Sequence, residues 1–534
     1  MSSPERGPFS ARRGWVAIVA GLFIVILLTW IWMFIAHAAA TPGGILCGAA
    51  ARNKFLGELY VSFAMIIVCG LLAIVSGIRI VRTGKTSWIF GIALIALFIA
   101  ACFVAVNGTA ACGAPVESTK PTTAMFRGNA AHLGVYDSTA PTLHSIRWRF
   151  HAKGNLISSP AVADGMVFVG SSDGNIYAVR TSNGARVWKF QTKGPVSSSP
   201  AVWNATVYAA SVDGAVYAVN ALNGKLKWRF DTAGERRFTA LGIHGIIPKN
   251  EMMPDPFDMF ISSPVLDNGT LYIGSGDHNV YAIDATTGTL RWKFTTGDVV
   301  HASPAVSGGV VYVGSFDRYF YALDASTGAV RWKFLTGDDQ AIHNQIGIVS
   351  SAAIADGVVY FGCRDSHLYA LNARDGALLW KHDEHGSWVI ASPAVYNGAV
   401  YFTTSDEHIF FALDAKNGSE RFRSKYGTFA YSSPSIAGGS AYYGVFDGTL
   451  YRVDARTGKV LATFETDGAR KNRASHLDAH GNLNLDDFYP DFTLNGIVVG
   501  LSRIFTLGSI VGAPTIANGT LYVSSADGTL YAIR

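Results

Sequence analysis

Several polar and aromatic residues of the types that bind ligands stand just before short strands that this sequence predicts. His301, the triplet His343-Asn344-Gln345, and Trp388 each precede a Ser-Pro-like or Ser-Ser run. If those strands converge on one axis, the side chains meet at one funnel mouth and can contact a ligand there. Each residue also fits a surface or hydrogen-bonded loop position. Because no complete set of nucleophile, base and orienting group accompanies them, the sequence predicts binding rather than catalysis.

Polar residues at the ends of later strands form a separate group. Arg364-Asp365 and Asp406-Glu407-His408 follow their strands rather than precede them. We therefore expect them on another rim or face of the molecule.

Two long links between strands offer further candidate contacts. Residues 231–261 carry Arg236 and Arg237, and residues 465–510 carry Asp486 and Asp487. Long ordered loops on a rigid scaffold are common binding surfaces, so we expect these side chains to contact a ligand or a partner. The second link also holds oxygen-bearing side chains at Asp478, Asn482, Asn484, Asp486 and Asp487. Their spacing departs from that of a calcium loop, so we predict a solvated acidic loop and no metal site.

The elements that must position these residues come from a repeat of about forty residues, which occurs eight times from Ser158 onward. Each copy joins a Ser-Ser-Pro-Ala-Val-like run, a Val-Tyr-Val-Gly-Ser-like run, Asp-Gly-x-x-Tyr-Ala and Asn/Thr-Gly-x-x-x-Trp. Residues 310–314 and 319–323 are rich in β-branched and aromatic residues and are bounded by turn residues, which is typical of short strands. The sequence therefore predicts an all-β eight-bladed propeller with four-stranded antiparallel blades.

Side chains within the repeat indicate how a blade turns and how blades join. Asp324-Ala325-Ser326-Thr327-Gly328 places a side-chain acceptor at the start of a hairpin and glycine where a positive φ is needed. Trp332, like the tryptophan at this position in other copies, is expected to wedge between neighbouring blades. The opening proline cannot donate a ladder hydrogen bond, so it should lie at the start of a strand or where the strand's amide faces the central channel.

The ends of the repeat region predict how the ring closes. The last copy stops at residues 527–534 and lacks its tryptophan strand, whereas Arg147-Trp148-Arg149-Phe150 precedes the first copy and matches Arg331-Trp332-Lys333-Phe334. We expect this early segment to complete the eighth blade, because closure removes an open sheet edge.

The first hundred residues predict a membrane domain. Three apolar stretches reach the ~20 residues that span a bilayer, at residues 15–36, 59–80 and 87–106. Basic residues precede the first stretch and separate the second from the third, so the positive-inside rule places the propeller on the periplasmic or extracellular side of the cytoplasmic (inner) membrane. Cleavage after Ala36-His37-Ala38 is the alternative for the first stretch, but its apolar core exceeds the ~7 to 15 residues of a signal peptide.

Cysteine usage agrees with this topology. Cys47 in the first outer loop and Cys112 after the third span share one oxidising compartment, so we predict a disulfide between them, with two unrelated thiols as the alternative. The predicted organisation is a membrane domain of three transmembrane helices at residues 1–106, an extracytoplasmic linker at 107–142 and the propeller at 143–534.

The repeat also carries a family resemblance. The motif Ala-x-Asp-x-x-Thr-Gly-x-x-x-Trp is complete at residues 282–292 and 322–332, and it resembles the tryptophan-docking motif of pyrroloquinoline-quinone (PQQ) repeat propellers. Met125-Phe126-Arg127-Gly128-Asn129, with His132 and Gly134, is similar to the segment that precedes the repeats in assembly-factor-like members. That family includes quinoprotein dehydrogenases and non-enzymatic scaffolds such as the propeller lipoprotein of the outer-membrane assembly machinery, so the resemblance implies the fold and leaves the function open.

Two functions follow from the resemblance. If the chain is one of the dehydrogenases, the resemblance implies a quinone on the propeller axis, stacked on a tryptophan, and a calcium ion held by Glu, Asn and Asp. Most blades here are near minimal and leave little material to roof a cofactor. We therefore expect no cofactor and a scaffold whose partners are the lipid bilayer and an extracytoplasmic protein or ligand.

The alternative is an enzyme, a dehydrogenase that uses PQQ with calcium to oxidise an alcohol or sugar and passes electrons to membrane quinone. A sensor that relays ligand binding through the helices is a third hypothesis. A net charge of +5 without a basic run in the propeller predicts no nucleic-acid partner.

Overall fold

In the computed structural model, which describes residues 124–337, 347–478 and 482–534, antiparallel strands form eight four-stranded sheets and one two-stranded hairpin. Each four-stranded sheet has a three-residue strand at the axis and three longer strands outside it, and the three-residue strands of neighbouring sheets contact one another. The predicted eight-bladed propeller is confirmed.

The strands follow the chain from the axis outward in every blade except the last. The first strand and blades 1 and 2 are β1 (Ile146–His151), β2 (Ala161–Ala163), β3 (Met166–Gly170), β4 (Asn175–Arg180), β5 (Arg186–Gln191), β6 (Ala201–Trp203), β7 (Thr206–Ser211), β8 (Ala215–Asn220) and β9 (Leu226–Asp231). The hairpin and blades 3 and 4 are β10 (Thr239–Leu241), β11 (Met252–Pro254), β12 (Val265–Asp267), β13 (Thr270–Gly274), β14 (Asn279–Asp284), β15 (Leu290–Thr295), β16 (Ala305–Ser307), β17 (Val310–Gly314), β18 (Tyr319–Asp324) and β19 (Val330–Leu335).

Blades 5 and 6 are β20 (Ala353–Ala355), β21 (Val358–Gly362), β22 (His367–Asn372), β23 (Leu378–Asp383), β24 (Ala394–Tyr396), β25 (Ala399–Thr403), β26 (Ile409–Asp414) and β27 (Glu420–Lys425). Blades 7 and 8 are β28 (Ser435–Ala437), β29 (Ser440–Gly444), β30 (Thr449–Asp454), β31 (Val460–Glu465), β32 (Thr515–Ala517), β33 (Thr520–Ser524) and β34 (Thr529–Ile533), with β1 as the outer strand of blade 8.

The ring closes as the sequence predicts. β1 pairs antiparallel with β34, and Trp148 stands opposite Ala532. The Trp148 indole N–H donates to the Thr181 carbonyl oxygen at 2.8 Å, which links blade 8 to blade 1. The outer edge of β34 is therefore covered by a strand from the other end of the propeller sequence.

Tryptophans join the neighbouring blades, as predicted. The Trp332 indole N–H donates to the Ala373 carbonyl oxygen of the next blade at 3.0 Å. Gly376 lies against the indole ring, where an added Cβ would approach Cε3 to 2.6 Å, and its φ is +74°. Glycine is therefore required in this turn both by the backbone conformation and by the packed ring. The same contact recurs at Trp148, Trp188, Trp228, Trp292 and Trp380.

The antiparallel order of each blade defines two faces. Links from the fourth strand to the next blade and links from the second to the third strand emerge on one side, which we call the insertion face. The hairpins between first and second strands and between third and fourth strands emerge on the other. The predicted hairpin chemistry is present there, since Asp324 Oδ1 accepts the amides of Ser326 and Thr327.

Both long links carry ordered elements. Residues 231–261 form the β10–β11 hairpin and a 3₁₀ turn at Ile243–Gly245. Residues 465–510 form α1 (Asp467–His476), α2 (Leu485–Phe488) and α3 (Leu494–Phe505). The Thr466 and Thr493 hydroxyls cap α1 and α3 by accepting the amides of Ala469 and Gly496.

The segment before β1 crosses the axis at the end away from the insertion face. Residues 124–136 hydrogen-bond to the middle residues of five innermost strands, at Val202, Val306, Ile354, Val395 and Ile436. These amides face the axis and would otherwise be unpaired. The segment that resembles an assembly-factor lead-in therefore closes one end of the central channel.

The predicted spans at residues 15–36, 59–80 and 87–106 and the predicted Cys47–Cys112 disulfide lie outside the described residues. Among the helices that are described, none is long and apolar enough to cross a membrane.

Candidate functional site

A small chamber occupies the propeller axis. Its volume is about 50 Å³, and each blade contributes the two alternate residues that precede its innermost strand. The layer nearer the insertion face consists of Ile157, Ser197, Ile261, His301, Val349, Ile390, Tyr431 and Val511. The deeper layer consists of Ser159, Ser199, Ser263, Ser303, Ser351, Ser392, Ser433 and Ala513. The small residue that precedes the proline in seven blades, or that precedes Ala352 in blade 5, therefore lines the axis.

A cap formed by the two long links covers the insertion face above this chamber. Ile497, Leu501 and Ile504 recur at helical spacing on the buried side of α3. They share one apolar cluster with Phe238 and Phe257 from the first link. The links also touch directly, since the Ile247 amide donates to the Phe492 carbonyl oxygen at 3.0 Å. The chain's own apolar side chains thus fill the funnel mouth.

Below the cap, a buried ion pair joins the first link to blade 5. Arg364 Nη1 lies 2.5 Å from Asp255 Oδ2, and both side chains are at most 1% exposed. Asp255 Oδ1 also accepts from His244 Nε2 at 2.8 Å. Burial opposes ionisation, but the Arg364 charge and the His244 hydrogen bond hold the pKa of Asp255 well below its usual value. The Arg364 guanidinium stacks between Trp388 and Phe316, at 4.6 and 5.0 Å from their ring centroids.

His301 is the centre of a second buried network. Its Nδ1 lies 2.7 Å from Asp258 Oδ1 and its Nε2 lies 2.8 Å from Glu235 Oε1. Burial alone would lower the pKa of His301, but the two carboxylates outweigh it and raise the pKa to about 10. His301 is therefore an imidazolium at neutral pH, and both ring nitrogens donate to carboxylates of the first link.

A larger cavity adjoins the chamber and contains three of the predicted residues. It measures about 250 Å³, and its lining includes His301, Arg236 and Arg237 together with the apolar side chains of Met259 and Phe260. Arg236 and Arg237 are exposed, and within the described part of the chain their guanidinium groups make no ion pair. The cavity therefore offers positive charge beside an apolar wall.

One topological expectation is wrong. Arg364 was expected on another rim, yet it contacts Trp388 on the insertion face. Asp406 also lies there, since its amide donates to Ser387 Oγ in the link before Trp388. The reason is that a link after a second strand and a link after a fourth strand leave an antiparallel blade on the same side.

The remaining predicted contacts do not join the axial site. Asp487 pairs with His476 and Arg503, at 3.2 and 3.6 Å, and so ties α2 to α1 and α3. Asp486 is an exposed residue of the same short helix. His343, Asn344 and Gln345 lie outside the described residues. No group of three His, Cys, Asp or Glu side chains suited to a metal occurs in the described ranges.

A PQQ–calcium site does not fit the described residues at the axis. Trp388, the tryptophan of the funnel mouth, is already stacked with Arg364 and also contacts His244 at 5.2 Å between ring centroids. The buried carboxylates of the first link, Asp255, Glu235 and Asp258, are engaged by Arg364, His244 and His301. What the geometry provides chemically is recognition by charge and apolar contact.

Two buried networks were not predicted from the sequence. Glu235 and Asp258 pair with His301, and Asp255 pairs with Arg364. A signal was present, because Asp255 and Asp258 stand in the apolar segment Pro254-Asp255-Pro256-Phe257-Asp258. A buried carboxylate needs a cation, which indicates a pairing with a distant basic residue.

Comparisons with known proteins agree on the fold. The profile of the family described as "outer membrane protein assembly factor BamB" matches residues 139–243 and 257–463. BamB from Moraxella catarrhalis superposes with a TM-score of 0.54 at 15% identity, covering 73% of this chain and 98% of that one.

Enzymes share the architecture. The quinohemoprotein alcohol dehydrogenase ADHIIG from Pseudomonas putida HK5 gives a TM-score of 0.56 at 14% identity, covering 75% of each chain. A europium-containing methanol dehydrogenase gives 0.55 at 15% identity, covering 75% of this chain and 90% of that one. A search of curated proteins finds no match. At such low identity, the structural likenesses show the fold alone.

Proposed function

The chain belongs to the family of the outer membrane protein assembly factor BamB, a family of PQQ-repeat propellers, and we propose that it is a membrane-anchored extracytoplasmic scaffold that binds a protein on its insertion face. The observation that carries the proposal is the cap. The cap fills the funnel mouth with the chain's own side chains. Its outer side forms a new surface on the insertion face.

The outer surface of the cap exposes several large apolar side chains. Leu241, Ile247, Met252 and Phe492 are each more than half exposed. Leu241 and Met252 stand opposite each other in the β10–β11 hairpin, and Ile247 contacts the second link at Phe492. Clustered exposed apolar side chains favour protein contacts, because burying them on binding removes apolar surface from water.

Membrane anchoring rests on the sequence. Three apolar stretches and the basic residues that flank them support a bundle in the cytoplasmic membrane with the propeller outside the cytoplasm. In this arrangement the bundle anchors the propeller, and the partner is an extracytoplasmic protein.

A photo-crosslinking residue at Met252 tests the scaffold function in native membranes. We expect a discrete crosslinked product that disappears when Leu241 and Phe492 are both replaced by aspartate. The matched control carries the crosslinker at Leu290, an exposed apolar residue on the outer strand of blade 3. Equal products at Met252 and Leu290, or a product that survives both aspartates, would contradict a partner on the cap.

The alternative function is the oxidation of an alcohol or sugar with PQQ and calcium, and the cavity beside Arg236 and Arg237 is the space next to the axis where a ligand would have to lie. The purified full chain should then gain a bound quinone spectrum and reduce a dye when PQQ and calcium are added. Because the axial carboxylates are already paired, we expect neither signal. Turnover would replace the scaffold proposal by the enzymatic one.

A further inference from the structure

The deeper layer of the axial chamber is a hydrogen-bonded belt of serines. In each of seven steps around the axis, a backbone amide of one blade donates to the corresponding residue's Oγ in the next blade, at 2.8 to 3.0 Å. The seven serines are at most 6% exposed. The belt holds each hydroxyl in place at the inner end of its blade.

The O–H group of each of these serines is still available to donate a hydrogen bond. Each Oγ already accepts an amide, and its proton must still find an acceptor because a buried unmade hydrogen bond is costly. No acceptor within the described residues receives a bond from any of the seven. Their lining of one chamber therefore leaves convergent O–H groups around a space of about 50 Å³.

The belt is broken at one blade. Blade 8 has Ala513 at the serine position, so the amide of Ser433 lacks the hydroxyl that its equivalents bond. Gly512 beside it is also confined, because an added Cβ would approach the Ser158 carbonyl oxygen to 2.9 Å. The break thus places one backbone donor next to the hydroxyls of Ser392 and Ser433.

A buried cation lies immediately below this break. Arg127 is 1% exposed, and its Nη1 and Nη2 donate to the carbonyl oxygens of Pro434 and Pro393, at 2.5 and 2.9 Å. These prolines directly follow Ser433 and Ser392. Arg127 has no carboxylate partner in the described ranges, and its Nε has no acceptor there. Burial lowers the pKa of Arg127 to about 10, so it remains charged at neutral pH.

The carboxylates that line the adjoining cavity, Glu235 and Asp258, do not cancel this charge. Glu235 and Asp258 are engaged by the His301 imidazolium, and each also accepts a backbone amide, from Gly276 and Phe238. A buried cation without a counterion is unfavourable. Negative charge in the chamber would compensate it and would satisfy the convergent donors at the same time.

We propose that the axial chamber is a binding site for a monovalent inorganic anion of the halide type, held by the serine belt and the Ser433 amide in the field of Arg127. The space suits one such ion, since a water molecule occupies about 30 Å³. The ion enters from the larger cavity, with which the chamber shares Ile157, Ser197, Phe260, Ile261 and His301.

Bromide is the probe, because it can be located by anomalous scattering. Crystals of the full chain grown in detergent and soaked in bromide should show an anomalous peak on the axis at the level of Ser392 and Ser433. The absence of an anomalous peak, with electron density there that a water molecule explains, would overturn the proposal.

Solution stability gives the second readout. In about 150 mM bromide the melting temperature of the full chain should exceed that in gluconate of equal ionic strength by about 2 °C. Ser392→Ala with Ser433→Ala should abolish this difference. The matched control is Ser198→Ala, which removes a buried hydroxyl next to the belt but not in the chamber lining, and it should retain the difference.

The comparison between salts separates anion binding from ordinary destabilisation. The double variant also loses hydrogen bonds of the belt, so its melting temperature falls in every salt and only the bromide-dependent part is diagnostic. An unchanged bromide effect in the double variant would overturn the site. A crystal peak without any solution effect would show binding at crystal concentration only and would overturn it as well.

Discussion

The His301 network predicts that the propeller loses stability as the solution becomes alkaline. His301 lies between Asp258 and Glu235, and its pKa is raised from 6.5 to about 10. A group whose pKa is raised on folding stabilises the protein below its unfolded pKa. That stabilisation disappears as the pH rises toward the folded pKa, because the unfolded state has then released its proton and folding must take one up from an increasingly proton-poor solution. The sensitive window is therefore about pH 6.5 to 10.

The magnitude follows from linkage. One pKa unit corresponds to about 1.36 kcal/mol, so the shift is worth about 4 to 5 kcal/mol of unfolding free energy at low pH. Between pH 7 and pH 9 the folded state loses about 2.5 kcal/mol of this. For a propeller of about four hundred residues, that change lowers the melting temperature by about 3 °C.

The assay is thermal unfolding of the full chain across this window, compared with His301→Gln. Glutamine keeps a planar side chain that can donate a hydrogen bond, but it does not titrate. The variant should be less stable than the parent at pH 7, and the gap should narrow as the pH approaches 9. Parallel melting curves for the two proteins from pH 7 to pH 9 would refute the imidazolium bridge.

Three further perturbations test the packing. Asp255→Asn leaves Arg364 buried without its anion and should cost about 3 to 5 kcal/mol in chemical denaturation, whereas adding Arg364→Met should recover part of that loss; an additive double variant would argue against the ion pair. Trp332→Ala should cost about 3 kcal/mol or more, and an unchanged melting temperature would contradict its wedging between blades. Removal of residues 143–150 should make the chain insoluble, because it exposes the edge of β34, and a soluble monomeric truncation would contradict the closure.

The fold was predictable because its determinants are local and repeated. Asp324 and Gly328 specify a hairpin within five residues, and Trp332 follows at a fixed distance. The ring closure was predictable for the same reason, since Trp148 stands in a segment that matches the other outer strands. Each of these signals occurs several times, so a weak copy such as Phe422 does not obscure the pattern.

The site was less predictable because its contacts are long-range. Arg364 and Asp255 are 109 residues apart, and their pairing follows only once the two faces of the propeller are assigned. The cap forms only because residues 231–261 contact residues 465–510. That contact could not be predicted from the sequence of either segment alone. His301, Arg236 and Arg237 were chosen from the sequence for their chemistry, and the structure brings them to one cavity. Their role in binding stays a prediction.

The repeat and its interruptions suit different kinds of partner. Seven serines around the axis, with Ala513 as the exception, give nearly the same lining from blade to blade, which suits a small spherical ion better than an oriented molecule. Recognition of an asymmetric partner needs groups that break this symmetry, and in this chain they are concentrated on the insertion face. His301 and Tyr431 replace apolar residues in the upper layer of the chamber, and the cap adds exposed side chains such as Met252 that no blade repeats. The two proposals are therefore separable: aspartate substitutions on the cap should abolish crosslinking and leave the bromide effect intact, because the cap and the serine belt are built from different residues.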